Sequence, residues 1–452
     1  MTPPNQIPSA EPGPFHLLDK GKAWGTCGHY SHSEPSTCNG SLQTDQSPRG
    51  CEVALLTGGD DKPYVLGLAS ALTSIGIKID LIGSNDLEVA ELLNLPRLRF
   101  LNLRGDQRPE ANLVTKVRRV VLYYLRLIYY AATAQPKVFH ILWNNKFELF
   151  DRTLLLIYYK FCRRKLVFTA HNVNMGKRDG NDSWLNRISL RIQYHLVDHI
   201  FVHTEKMKSE LLFEFGVSEK KASVIPFGID NTIPSTNLSG GEARKRLCLQ
   251  NNSRIILFFG QISAYKGLEY LVEAFEKLAG ERQDYHLVIA GRPDRGSQGY
   301  WKDIRSTIES RGMAGRVTQS IRYIPDEEVE VYFKASDVLI LPYTAIFQSG
   351  VLFLSYSFGL PVIATDVGSF KSHIVDGRTG YVCRSHDASS LASAIATYFG
   401  SDLFNNLGSR RAEISAYANE RYSWSEVAAK TTVVYSNLSG SCESLSKRAE
   451  VR

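Results

Sequence analysis

Ser349 and Gly350 stand where a strand ending near Pro342 gives way to a short loop and then to a helix, which Gly359 closes and Pro361 follows. A helix that begins just after a strand directs unpaired backbone N–H groups, and the positive end of its dipole, at whatever lies before it. Phosphate is the usual guest. Lys266, between Gly260 and Gly267 after another strand, would add a side-chain cation to the same guest. Two such elements in one half of a chain point to a nucleotide-diphosphate site.

The elements that must hold these residues alternate in type. Residues 51–57 read as a strand running into Gly58-Gly59-Asp60-Asp61, then a helix over 63–74 ended by Gly76, then a strand over 77–83. That is the opening of a Rossmann-like domain. Helices over 114–132, 150–163 and 185–197 alternate with strands over 138–143, 165–170 and 199–203, and the segment from Ser223 to Asp230 reads as the last strand. A polar connection leads to a second round that starts with the strand 254–259. The chain is therefore expected to be α/β, with two Rossmann-like domains facing across a cleft. Residues 51–230 form the first domain, 231–253 a linker and 254–420 the second domain. Ser423-Trp-Ser-Glu426 reads as a capping box for a helix over 421–438, and the first domain is a plausible surface for it. The ends, 1–50 and 439–452, are expected to be disordered. The first of them holds seven of the seventeen prolines and few aliphatic residues.

Composition narrows the classes of function. At 452 residues the chain is too long for one ordinary core. Its net charge of +7 suits anionic ligands or an anionic membrane surface, and the scattered basic residues form no nucleic-acid-binding signature. The seven cysteines make no CxxC pair and suit free thiols in the cytoplasm. No segment reads as a signal peptide, and the most apolar run, 120–132, is broken by Arg126 and too short to span a bilayer. Neither a DxD segment suited to a metal nucleotide nor zinc-type His/Cys spacing is present.

Several separated segments, in order, resemble the retaining glycosyltransferases of family 4, whose fold is GT-B. They include Gly58-Gly59, Thr169-Ala-His171, Val224-Ile-Pro-Phe-Gly228, Phe259-Gly-Gln-Ile-Ser-Ala-Tyr-Lys266-Gly267, Ala290-Gly-Arg292, Tyr323-Ile-Pro-Asp-Glu-Glu328, Gly359-Leu-Pro-Val-Ile-Ala-Thr-Asp366 and Asp376-Gly-Arg-Thr-Gly380. The resemblance implies a second domain that binds a nucleotide-diphosphate sugar as co-substrate and a first domain that binds the acceptor, with no other cofactor and no metal. It implies that Lys266 contacts the diphosphate, and that the backbone at Gln348, Ser349, Gly350 and Val351 meets the phosphate or the donor sugar. His171 would touch the transferred sugar, and Gly58 and Gly59 would let the backbone approach the diphosphate. Two departures stand out. The usual Glu-x7-Glu pair is replaced by Ile346 and Leu354, as in a bacterial variant with Gln-Ser-Gly-Val at the helix start, and Gln261 stands where an Arg is usual. Arg292 is the candidate to replace that cation.

The expected activity is a metal-independent, retaining transfer of a sugar to a saccharide or lipid-linked acceptor. A non-catalytic sugar-nucleotide-binding protein or a GT-B sugar-nucleotide epimerase remain the alternatives. The basic, tyrosine-rich helix over 115–130 reads either as an ordinary Rossmann helix with a solvated face or as a peripheral contact with an anionic membrane, at its inner face. The polar loop 174–183 reads either as an acceptor loop or as solvated chain.

Overall fold

The computed structural model describes residues 52–58, 62–107, 112–145, 147–178, 182–229 and 233–440. Gly59 and both chain ends fall outside them. Apolar β-branched runs form two parallel sheets. The first joins β1 (Glu52–Thr57), β2 (Lys78–Gly83), β3 (Leu98–Asn102), β4 (Val138–Trp143), β5 (Lys165–Thr169), β6 (His199–Val202) and β7 (Ala222–Val224) in the order β3-β2-β1-β4-β5-β6-β7. The second joins β8 (Arg254–Phe259), β9 (Tyr285–Ala290), β10 (Val317–Ser320), β11 (Val338–Leu341), β12 (Val362–Thr365) and β13 (Gly380–Cys383) in the order β10-β9-β8-β11-β12-β13. Strands such as Val53–Leu56 and Ile255–Phe258 are buried throughout, as sheets covered by helices on both faces require. In each sheet the order reverses once, between β1 and β4 and between β8 and β11. Open α/β sheets bind ligands at the carboxyl ends of the strands flanking such a reversal.

The terminal helix, Trp424–Ser439, packs on the first domain against the Lys62–Ser74 helix. Val427, Ala428 and Tyr435 join the core formed by β1, β2 and that helix. Trp424 is wedged between Gly67 and Gly228, where an added Cβ would stand 2.0 and 2.3 Å from its ring, and its indole N–H donates to Ile229 O at 2.9 Å. Farther along, the Tyr435 hydroxyl meets His140 Nδ1 at 2.5 Å, and His140 Nε2 meets Thr169 Oγ1 at 2.7 Å. The capping box at its start forms by half. Ser423 Oγ accepts from the Glu426 N–H, while the Glu426 carboxylate pairs with Lys430 at 3.0 Å.

Three local readings differ from the sequence expectation. The stretch read as a linker holds a helix, Gly240–Arg246, with a complete Ser239–Glu242 capping box. Ala243 is buried in the second core, and Arg244 pairs with Asp337 at 2.8 Å, so this stretch is built into the second domain. The last strand of the first domain is only three residues long, and irregular backbone carries Ile225, Pro226 and Phe227 toward the cleft. In the loop after His171, Met175–Arg178 forms a helical turn, with Asn174 Oδ1 accepting from Lys177 N and Asn186 Nδ2.

Candidate active site

The carboxyl ends of β8 and β11 bring the second domain's candidates together. Gly260 holds φ at 108°, a conformation that favours glycine, and a Cβ there would lie 3.2 Å from Lys266 Nζ and 3.6 Å from Val351 Cγ2. Lys266 ends a single 3₁₀ turn, Ala264–Lys266, is 6% exposed, and sets its ammonium over the Tyr343 ring, 5.5 Å from the centroid. Burial pushes the Tyr343 phenol up to about 12 against the opposing effect of the Ser349 hydroxyl beside it. Ser349, extended and buried, precedes the Gly350–Ser357 helix and makes no side-chain cap bond to it. The first-turn N–H groups of Gly350 and Val351 thus start beside a buried ammonium.

Gln348 precedes that helix start. Its amide oxygen and nitrogen are both buried with no hydrogen-bond partner among the described residues. Gln261 is exposed, and Arg292 lays its guanidinium over the Tyr323 ring at 5.5 Å. The two departures from the family pattern have structural counterparts. Leu354 is part of the second core and Ile346 packs against it, so apolar contacts occupy both positions of the usual carboxylate pair.

Across the cleft, His171 follows β5 and stacks on Trp143 at the end of β4, with centroids 4.3 Å apart and planes 1° from parallel. Tyr64, also against His171, meets Trp143, Phe227 and Trp424 edge-on or tilted at 5.1 to 5.6 Å. Gly58 is explained by packing, since a Cβ there would fall 2.1 Å from Trp143 O. Phe227 joins the two sides. Its ring is 6.3 Å from His171 and 5.0 Å from His203, and it stacks on Phe353 of the Gly350–Ser357 helix at 5.2 Å.

The histidines have fixed roles. Burial, with His203 and His140 nearby, holds His171 well below the usual imidazole range; burial takes His203 down to about 4 against the raising effect of the Ile225 and Pro226 backbone. Both rings are therefore neutral at pH 7. The Ile225 carbonyl, 3.4 Å from His203 Nδ1, can only accept, so that nitrogen carries the hydrogen. His203 Nε2 is then a lone pair, and His171 Nδ1, 3.2 Å away, donates to it. The remaining nitrogen, His171 Nε2, is a buried acceptor without a partner among the described residues. The sequence reading marked His171 and missed this setting. Tyr64, Trp143, His203, Phe227 and Trp424 come from five separate segments, and the advance signals were that Trp143 and His203 end expected strands and that Phe227 falls in Val224-Ile-Pro-Phe-Gly228. Among the described residues no three His, Cys, Asp or Glu side chains are grouped so as to hold a metal ion.

The pattern described as Glycosyltransferase Family 4 matches residues 47–232, and that of Glycosyl transferases group 1 matches residues 241–421. Each match coincides with one of the two sheets and its helices. The chain is a GT-B glycosyltransferase. The glycosyltransferase is 23% identical over 383 residues to the uncharacterized glycosyltransferase MJ1607 of Methanocaldococcus jannaschii, covering 82% of this chain and 92% of that one. It is 25% identical over 285 residues to the D-inositol 3-phosphate glycosyltransferase of Corynebacterium glutamicum, covering 61% and 67%. Among solved structures it superposes on a sucrose-phosphate synthase from Thermosynechococcus elongatus with a TM-score of 0.69 at 19% identity, over 87% of this chain and all of that one. Anabaena Alr3699/HepE in complex with UDP and glucose gives 0.66 at 16% identity, over 86% and 100%.

Proposed function

We propose that this glycosyltransferase moves a sugar from a nucleotide-diphosphate sugar to an acceptor hydroxyl with retention of anomeric configuration and without a metal ion. The observation that carries the reading is that one buried side chain of each domain, His171 and Gln348, holds polar atoms without a partner among the described residues. His171 Nε2 offers a lone pair from the first domain, and the Gln348 amide offers both a donor and an acceptor from the second. A sugar lying between them would satisfy His171 with a hydroxyl hydrogen and Gln348 with one hydroxyl at each end. Its diphosphate would lie toward Lys266 and the start of the Gly350–Ser357 helix.

In that position the cation and the helix N-terminus stabilise the charge that grows on the leaving diphosphate as the glycosidic bond breaks. The leaving phosphate oxygen accepts the acceptor's proton on the face the diphosphate occupies. The new bond therefore forms on the side from which the old one leaves, and no separate protein base is needed. The neighbour solved with UDP and glucose supports the donor class. The burial of Leu354 and Ile346 implies that the ribose is held by other groups than the usual carboxylates.

The test is a thermal-shift panel of nucleoside diphosphates and their sugar conjugates on wild type and Lys266→Ala. One nucleoside diphosphate should raise Tm in the wild type, by an amount that grows with its concentration, and the shift should shrink or vanish in the variant. An undiminished shift in Lys266→Ala would remove Lys266 from the site. No shift with any of them would favour a non-catalytic protein on the same fold.

A further inference from the structure

The Leu113–Thr133 helix buries Tyr123, Leu127, Tyr130 and Ala131 against the first sheet. At 3.6 residues per turn its opposite side carries Val114, Val117, Val121, Leu125 and Tyr129, exposed by 52 to 78%. Beside it runs a second helical segment made of Glu148–Phe150, a π turn over Asp151–Leu155, and Leu156–Phe161. The two are joined by the Tyr158 hydroxyl, which donates to Ile128 O at 3.1 Å, and by Tyr124, which meets Phe150 edge-on at 5.2 Å. This second segment exposes Leu154, Ile157 and Phe161 at a three-to-four-residue spacing, and Phe147 and Leu149 stand at its start. Between them lies an open apolar groove of about 670 Å³, with Val121, Leu125, Phe147 and Leu149 in its walls. The second domain, built on the same plan, exposes only Tyr323 and Val375 among the large apolar side chains of its described residues 254–423. Large apolar side chains are thus exposed mainly on the first domain, where Trp184, Leu185, Ile188 and Phe213 add to those of this face.

Cations outnumber acids on and around it. The first helix carries Lys116, Arg118, Arg119 and Arg126 and no acid, Arg163, Arg164 and Lys165 follow the second segment, and Glu148 in the groove wall is paired with Arg152. Arg119 pairs with Asp106. Lys116, Arg118, Arg126, Arg163 and Lys165 have no acidic partner among the described residues. A pocket lined by Arg104, Asp106, Lys116, Arg119, Tyr123 and Arg295 shares Val120 and Tyr124 with the apolar groove, so a recess with four cations and one acid opens beside the face. Two copies joined by this face about a two-fold axis would set these cations against their own images. No described helix is long and apolar enough to cross a membrane.

We propose that the face formed by the Leu113–Thr133 helix and the Glu148–Phe161 segment docks on an anionic lipid bilayer. The valine, leucine and phenylalanine side chains enter the headgroup–acyl boundary with Arg118, on the same side of the helix, at headgroup phosphates, while Lys116 and Arg126 on its other side add to the field that draws the face to an anionic surface. Bound this way, the glycosyltransferase presents its cationic recess at the lipid surface, where a phosphate-bearing lipid head can enter it. This last point rests on the proposed transfer reaction, whereas the docking does not.

Flotation with vesicles of phosphatidylcholine alone and of phosphatidylcholine with phosphatidylglycerol tests the docking without any substrate. The wild type should float with the anionic vesicles, more weakly with the neutral ones, and less well at high salt. Val121→Asp with Phe161→Asp should lose at least about tenfold in vesicle affinity, and Lys116→Glu with Arg118→Glu should lose the preference for anionic lipid. All four side chains are exposed, and an unchanged Tm in each variant would show the fold intact. Failure of the wild type to float, or equal flotation of Val121→Asp/Phe161→Asp, would overturn the proposal. So would light scattering that shows a wild-type dimer converted to monomer by the same pair. Nucleotide-dependent thermal shift in these variants separates a failure of docking from a failure of the donor site.

Discussion

Both polar atoms of the Gln348 side chain are buried without a hydrogen-bond partner among the described residues, and an unmade buried hydrogen bond costs about 1–3 kcal/mol. Under the proposed transfer reaction its partner is a hydroxyl of the donor sugar. Gln348→Met keeps the length of the side chain and removes both polar atoms, so it should raise the Tm of the ligand-free protein by about 2 °C. It should lower kcat/KM at least about tenfold, the value of one lost hydrogen bond to bound sugar. A lower Tm would mean that the amide is held by the fold. At this scale the sequence singled out Lys266 and Ser349, because glycine punctuation and a strand-to-helix transition are local signals, and the structure sets both at the carboxyl ends of β8 and β11. The partnerless state of Gln348 and the tautomer of His171 were not legible, because each depends on which distant groups fail to reach, or do reach, a given atom.

The terminal helix shows the same division at the scale of elements. Its start and its period could be read from Ser423 and from Val427, Thr431, Val434 and Tyr435, but its anchor could not, because His140 lies 295 positions from Tyr435 in the chain. The Gly240–Arg246 helix was missed because Ser239-Gly-Gly-Glu242 reads as loop, and only the contact of Ala243 with the second core makes it a helix worth forming. The anchor has a pH dependence. Burial, then His199, lowers His140 to about 3, whereas an unfolded histidine titrates near about 6.5. Between these values the unfolded chain holds a proton that the folded chain does not, so stability is full above about pH 6.5 and is lost as the pH falls toward 3. The loss from this one group reaches about 1.4 kcal/mol per pH unit. Denaturant unfolding at pH 7, 6 and 5 should show a slope steeper than this one group gives, because burial lowers His171, His203, His199 and His373 as well, and His140→Gln should flatten it by nearly one proton. An unchanged slope would place the proton uptake elsewhere.

At the scale of the whole molecule, two domains with separate cores are coupled through few side chains, chiefly Phe227 on Phe353 and the terminal helix on the first domain. Where the two cores melt in one transition, this junction is what holds them to it. Trp424, set between Gly67 and Gly228, is where the chain leaving the second domain is locked onto the first. Trp424→Ala should cost about 3–5 kcal/mol at that junction and split a single calorimetric transition into two. A single transition, merely shifted, would mean that other contacts carry the coupling. The same helix has a consequence for synthesis. Residues 52–229 come off the ribosome first, yet their core lacks Val427, Ala428 and Tyr435 until the last described helix emerges. The second domain, continuous from 233 to 423, has no such gap. Cotranslational folding of this chain therefore runs against the usual N-terminal-first order. The later-made domain is the first that can close, and the earlier one waits, open along one helix-sized seam, until Trp424–Ser439 has emerged.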